Sequence, residues 1–329
     1  MYTLIDIVLL SMLAATALSV VFMRDLFTIV MLFGIYSLLS AGFFVDMDAV
    51  DVALTEAAVG AGVTTMLMLG TLALTSRKEK AHRKPASMLP LAVVTITGLV
   101  LIYGTLDMPY LGDPEAPVHQ HVAPRYIEQS YDEIGLPNIV TSVLASYRGF
   151  DTLGEVVVIF TAGLGVLTLL GLSGDSPHRA RPAAMAHHLV LRVITRALIP
   201  LILIYALYIQ FHGDYGPGGG FQAGVIFGAA IILYTLIFGL TKAERVIAPL
   251  FLRYMMGAGV LIFAGTGVLA LLLGGNFLDY DYLAHDPLHG QHYGILAVEF
   301  GVGVTVTAVI ISIFFNFTGR GDQPKEEER

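Results

Sequence analysis

Three glutamates, Glu56, Glu155 and Glu299, fall within long apolar runs of this sequence. An ionised side chain in hydrocarbon costs at least about 2.5–3.5 kcal/mol, so such groups face a protein interior or water. There they hold a proton or a cation rather than a bare charge. Each lies about 6–9 Å from the same end of its run, taking 1.5 Å per residue. Three carboxylates at one level suit a half-channel or cation site that opens to one side of a membrane. Asp151 and Glu155 are four residues apart on one helical face, where like charges repel unless a proton or cation intervenes. Asp151 is expected to N-cap that run, with Thr152 in support. The plainer alternatives are a glutamate that snorkels to the interface and a capping carboxylate beside Arg148.

Other polar groups cluster near the same end. Glu56 stands in Asp51-Val-Ala-Leu-Thr-Glu56, followed by Gly60 and Gly62, which permit close backbone approach and a local π-bulge. His212 and Asp214 are expected to form a titratable pair at a mouth. They open a tight turn in which Pro217 suits a helix start and Gly218, Gly219 and Gly220 allow positive φ or close packing ahead of Phe221. No lysine with Ser or Thr follows those glycines, so this is not a phosphate loop. His285, His289 and His292 lie in a segment read as the loop 275–292. They have no partner fixed on a helix, so a solvated loop is expected there and no metal site.

The elements that carry these residues are membrane helices. Of 329 residues, 56% are hydrophobic and 13% charged, too few charges to cover a soluble domain of this length. There is no cysteine, which excludes disulfides, thiolate metal sites and cysteine nucleophiles. The expected fold is all-α and integral to the membrane, with about nine spans near 4–22, 26–45, 51–75, 88–106, 152–172, 193–211, 219–241, 249–273 and 293–317. The first run has no basic region ahead of it and is expected to be a retained span. The short segment 137–148 is expected to lie along the surface as an amphipathic helix. With nine spans, all the basic residues but Arg125 and Arg148 fall on the side of the 77–84 loop. That puts the N-terminus outside and the C-terminus in the cytoplasm. The basic, polar stretch 173–190 divides five spans from four, and a charged tail follows Gly319.

These motifs resemble a known family. Asp51 to Gly62, reading DVALTEAAVGAG, resembles the MbhD-like signature. Tyr147 to Glu155, reading YRGFDTLGE, resembles the MbhE-like one. His212 to Val225, reading HGDYGPGGGFQAGV, resembles the histidine and glycine turn of MrpB (MnhB, MbhF). The resemblance implies an MbhD-like unit over 1–86, an MbhE-like unit over 87–175, an MrpB-like unit over 190–318 and a tail over 319–329. It also implies functional weight at Glu155, Pro217 and Phe221. Many large-subunit relatives carry Gln at the place of Glu56 and glutamate at the place of Gly60, so the carboxylate is displaced by one turn here. No lysine lies mid-span, so the chain alone is not expected to catalyse exchange.

The function implied is that of one component of a multisubunit Na+/H+ antiporter. It is a transporter component and not an enzyme, with Na+ and H+ as transported ions and no cofactor. Its implied partners are other Mrp-type subunits, namely large antiporter-like ones (NuoL/NuoN-like), a small NuoK-like one and further small membrane subunits. The bilayer is the other partner, and nucleic acid is not one. The implied location is the inner, cytoplasmic membrane of a prokaryote, crossed many times. Glu155, Asp151, Glu56, Glu299, His212 and Asp214 are the expected ion-path residues. Two alternatives stand beside it: the equivalent membrane component of an ion-translocating hydrogenase or redox complex, and a non-conducting scaffold.

Overall fold

Hydrocarbon cannot satisfy backbone N–H and C=O groups, so apolar runs of this length close their hydrogen bonds internally as helices. The computed structural model describes residues 2–79, 88–110, 112–170 and 188–320. Among them nine helices are long and apolar enough to cross a membrane. They are α1 (Leu4–Phe22), α2 (Leu26–Asp46), α3 (Val50–Leu72), α4 (Met88–Thr105), α5 (Gly149–Leu170), α6 (Leu189–His212), α7 (Gly220–Phe238), α8 (Pro249–Leu272) and α9 (Pro287–Gly319). The described residues form no named strand, and one isolated bridge joins Asp25 to Lys78. Most of the basic loop 77–84, the stretch 173–187 and the tail from 321 lie outside the described residues.

Helix α9 is the axis of the bundle, packed against α5, α7 and α8. Between membrane helices there is little hydrophobic driving force, and small residues that let backbones approach do the work. On α7, a Cβ at Gly220 would overlap the Glu299 carbonyl, and one at Gly224 would lie 2.7 Å from the Gly303 carbonyl oxygen. On the other side of α9, a Cβ at Gly301 would lie 2.7 Å from the Gly259 carbonyl oxygen of α8. Phe263, Ile295, Val298, Val306 and Phe315 fill the core around these seams.

Helix α3 packs between α2 and the α7/α9 pair. Its residues Ala57–Thr64 are π-helical, and the buried Thr65 hydroxyl donates to the Gly60 carbonyl at 3.0 Å. Gly60 meets Ser37 of α2 so closely that no Cβ fits. Gly62 differs from expectation, because a Cβ there would meet only its own helix, at Ala57 O, 3.6 Å away. By contrast α1 and α4 bury none of the residues in their most apolar windows, and α1 packs on α2 through half-buried residues such as Leu9, Leu13 and Val20.

Two local expectations need correction, while segment 137–148 is helical with Ile139, Val140 and Leu144 on an exposed face. It forms a short α turn, Ile139–Thr141, and a π turn, Ser142–Tyr147, with Asn138, Thr141, Ser142 and Ala145 buried. Its polar groups point inward because carbonyls of the 213–216 turn await donors there. Helix α5 starts at Gly149, so Asp151 sits in its first turn rather than at the cap and pairs with Arg148 at 2.5 Å. Helix α9 starts at Pro287, which places His289 and His292 on a helix rather than in a loop.

Candidate functional site

The glycine turn between α6 and α7 determines the site. Gly219 has φ +109° and ψ −178°, a region that side-chain-bearing residues avoid. A Cβ at Gly219 would lie 2.9 Å from Glu299 Oε1, and one at Gly213 would lie 3.3 Å from Glu299 Oε2. The turn therefore wraps the Glu299 carboxylate with bare backbone. Its own shape is held by Gly219 N–H donating to Ile209 O at 3.0 Å.

Segment 138–141 clamps the turn from outside. Asn138 Nδ2 donates to Gly213 O at 2.9 Å and to Gly216 O at 3.0 Å, and Thr141 Oγ1 donates to Gly213 O at 2.6 Å. The Asn138 backbone N–H donates to Asp214 O at 3.1 Å. Helix α3 holds the turn from another side. Gly218 N–H donates to Asp51 Oδ1 at 3.4 Å, and Gln222 Nε2 donates to Thr55 Oγ1 at 2.9 Å.

Between these elements lies a cavity of about 280 Å³. Asp51, Glu155 and Glu299 line it, with Thr55, Thr141, Thr152 and Gln222 as neutral polar groups and Gly218, Gly219, Gly220 and Phe221 as part of its wall. Glu155 is exposed while Asp51 and Glu299 are partly buried, so the cavity opens at the surface of the bundle past Glu155. Three carboxylates from α3, α5 and α9 line one cavity large enough for several waters, with hydroxyl and amide groups and the apolar Val52, Val140, Leu144, Val298 and Val302 completing its wall. That donor set suits a hard monovalent cation, a hydronium ion or a shared proton.

The remaining expected residues divide. Glu56 does not line the cavity. Its Oε1 lies beside Gly60, on the side where α3 meets Ser37 of α2, and Asp51 supplies the third carboxylate instead. Asp151 is exposed and engaged with Arg148 one turn from Glu155. Pro217 leads into the turn and is not part of the cavity wall. His212 stacks on Tyr208 with ring centroids 4.8 Å apart, near enough to Asp51 for their charges to interact. It is not the partner of Asp214. The buried Asp214 pairs with His292 Nδ1 at 3.2 Å. Burial pushes the Asp214 carboxyl above its ordinary value, and the His292 charge pulls it back down.

Residues overlooked in the sequence are Asp51, Asn138, Thr141, Gln222 and His292. Asp51 had a signal, since it stands one helical turn before Thr55 and so shares its face. Asn138 had the signal of an N-cap, and it does accept from Val140 N–H at 3.0 Å.

Nine apolar helices among the described residues, four of which (α3, α5, α7 and α9) line a cavity with carboxylates, define an integral, multi-pass membrane protein with a charged site among its helices. Residues 190–312 match the domain related to the MnhB subunit of Na+/H+ antiporter. Residues 11–77 match the MbhD component of MBH, and residues 91–189 match its MbhE component. A putative antiporter protein, mnhB2 of Staphylococcus haemolyticus (strain JCSC1435), is 32% identical over 133 residues, which are 40% of this chain and 94% of that protein. The chain belongs to the MnhB family.

A Rhizobium meliloti (strain 1021) protein, named as the A/B component of a K+/H+ antiporter, is 28% identical over 79% of this chain. In the structure of the Mrp complex from Dietzia sp. DQ12-45-1b, one chain superposes with a TM-score of 0.77 at 28% identity, covering 98% of this chain. A chain of the archaeal membrane-bound sulfane sulfur reductase superposes at 0.57 with 30% identity, over 70% of this chain and 97% of that one. This chain spans 28% of the length of the Rhizobium relative and 35% of the Dietzia chain.

Proposed function

We propose that this chain is one component of a multisubunit monovalent cation/proton antiporter and forms part of its ion path. The observation that carries this reading is the convergence of Asp51, Glu155 and Glu299 on one cavity beside the glycine turn. A carboxylate in a low-dielectric site is neutralised either by a proton or by a metal cation. Competition between the two at one site is the elementary requirement for exchanging them. Two aspects of the site serve that chemistry. The turn presents backbone rather than side chains to Glu299, leaving room for a cation, and the Thr55–Gln222 pair adds neutral oxygens that lower the cost of dehydration.

The names of the relatives support the antiporter class and differ on the cation: one names Na+/H+ and another K+/H+. Na+ is the cation proposed here, with K+ as the alternative that direct measurement separates. On this reading the chain is not an enzyme, needs no cofactor of its own and works beside other Mrp-type subunits. It sits in the cytoplasmic membrane of a prokaryote, N-terminus outside. The alternative, in which a redox module drives the same membrane unit, has the likeness to a sulfane sulfur reductase chain behind it and is not favoured over the antiporter.

The test is Glu155→Gln and Glu299→Gln in the complete complex reconstituted in vesicles, with native gels to confirm assembly. Proton movement driven by Na+ and then by K+ gradients is expected to be lost in both variants while assembly is intact. Normal exchange in both would sink the ion-path role and leave a scaffold.

A further inference from the structure

Building on the ion-path reading, we propose that His292, which lies outside the cavity lining, is a proton relay, exchanging protons with water and passing them through Asp214 to Glu299. His292 and Glu299 are seven residues apart on α9, two turns on one face, about 10.5 Å along the axis. Asp214 fills the interval. Its carboxylate takes His292 Nδ1 at 3.2 Å, and its neighbour Gly213 abuts Glu299 Oε2. The His292 side chain is 41% exposed and that of Asp214 is 8%, so the first step runs from a wet imidazole to a dry carboxylate, with the cavity carboxylate beyond it. Imidazole is the side chain whose ordinary titration falls in the physiological range.

Among the described residues the following charged groups flank the series, together with Asp281, which accepts from Gln291 Nε2 at 2.8 Å. Asp214 faces His292 and Glu299 of α9, Asp51 of α3 also acts on Glu299, and His212 lies in the preceding turn beside Asp51. His289, one turn before His292, is engaged with Asp286 at 3.1 Å. In the inward step the His292 N–H bond breaks and an O–H bond forms on Asp214, leaving neutral imidazole. Asp214 then gives that proton to the Glu299 carboxylate and returns to its anion, while His292 takes a new proton from water. The outward step is the reverse, and no electrons are transferred.

The test uses the complete complex in vesicles, with Na+ and K+ as driving ions. His292→Gln keeps polarity and removes titration. It is expected to slow proton movement by at least about tenfold, a modest share of the ~10²–10⁴-fold that positioned proton-transfer groups contribute. The cation concentration for half-maximal rate should stay unchanged, and the rate's dependence on pH between about 5 and 8 should flatten. Added imidazole should restore part of the rate. Asp214→Asn should give the same loss without rescue. Wild-type exchange in His292→Gln, alongside silence in Glu299→Gln, would overturn the relay and leave the ion path standing. A slow His292→Gln that ignores imidazole and shifts the cation requirement would also overturn it, marking a structural role. Normal exchange in Glu299→Gln would mean that the ion-path reading had failed, and the relay with it.

Discussion

Replacing Gly219 with alanine tests the construction of the site at its tightest point. The backbone there has φ +109° and ψ −178°, and a residue with a Cβ pays on the order of 1–3 kcal/mol to hold such a conformation. The new methyl would also lie 2.9 Å from Glu299 Oε1 and 3.5 Å from its carboxyl carbon, so the carboxylate has to move as well. The strain alone lowers the closed-to-open ratio of the turn by roughly 5- to 150-fold, at 1.4 kcal/mol per factor of ten. Gly165→Ala is the control, because a Cβ there meets nothing within 4 Å and alanine is favoured over glycine in a helix by up to about 1 kcal/mol. The assays are limited proteolysis of the 213–219 turn and cation-driven proton movement in vesicles of the complete complex. Gly219→Ala is expected to raise protease cutting of the turn at least about fivefold, the lower bound of that strain, and to lower exchange because the methyl displaces the Glu299 carboxylate. Gly165→Ala should match wild type in both. If the two variants are indistinguishable, the glycine turn does not shape the Glu299 site, and the reasoning from its backbone is wrong.

Two further outcomes follow from the outer clamp. Asn138→Ala removes the amide donor from Gly213 O, which keeps Thr141 Oγ1, and from the half-buried Gly216 O, which is left unpaired. The cost should be about 1 kcal/mol, the lower end for an unpaired acceptor, read as lowered thermal stability of the complex, and no change would show that water replaces the amide. Burial and the hydrogen bond to Glu133 push the Tyr147 hydroxyl up to about 12, so its contribution to stability is complete below the ordinary value near 10 and is lost as pH rises through about 12. Phenolate absorbance, read as wild type minus Tyr147→Phe, should therefore stay silent at pH 10–11, and titration there at the ordinary value would remove the Tyr147–Glu133 contact from the account.

Much of the fold was legible because a bilayer reads sequence almost one residue at a time. Runs of apolar residues long enough to span must become helices, whatever they pack against, and nine such helices are present among the described residues. The boundaries were less legible. Helix α9 begins at Pro287, ahead of the apolar run, because its first two turns pack on Tyr280 and the 280–283 segment rather than on lipid. A Cβ at Gly290 or Gly294 would collide with Tyr280, a contact that hydropathy does not encode. That extra length is what carries His292 onto the face of Glu299.

The sequence by itself determined which stretches enter the membrane, that carboxylates go with them, and that a glycine turn divides α6 from α7. These follow from composition and from backbone limits that each residue carries alone. Which carboxylates meet was decided only by tertiary packing. Asp51 and Glu56 differ by five positions, about 140° around a helix, so both cannot face one cavity. Gly60 draws Glu56 toward Ser37 of α2, while Thr55 and Asp51 turn to Gln222 and Gly218 of the α6–α7 turn. The pairing of Asp214 with His292 rather than His212 has the same origin. It depends on where α9 starts and how closely the bare glycines let it approach, and those distances exist only once the helices have packed.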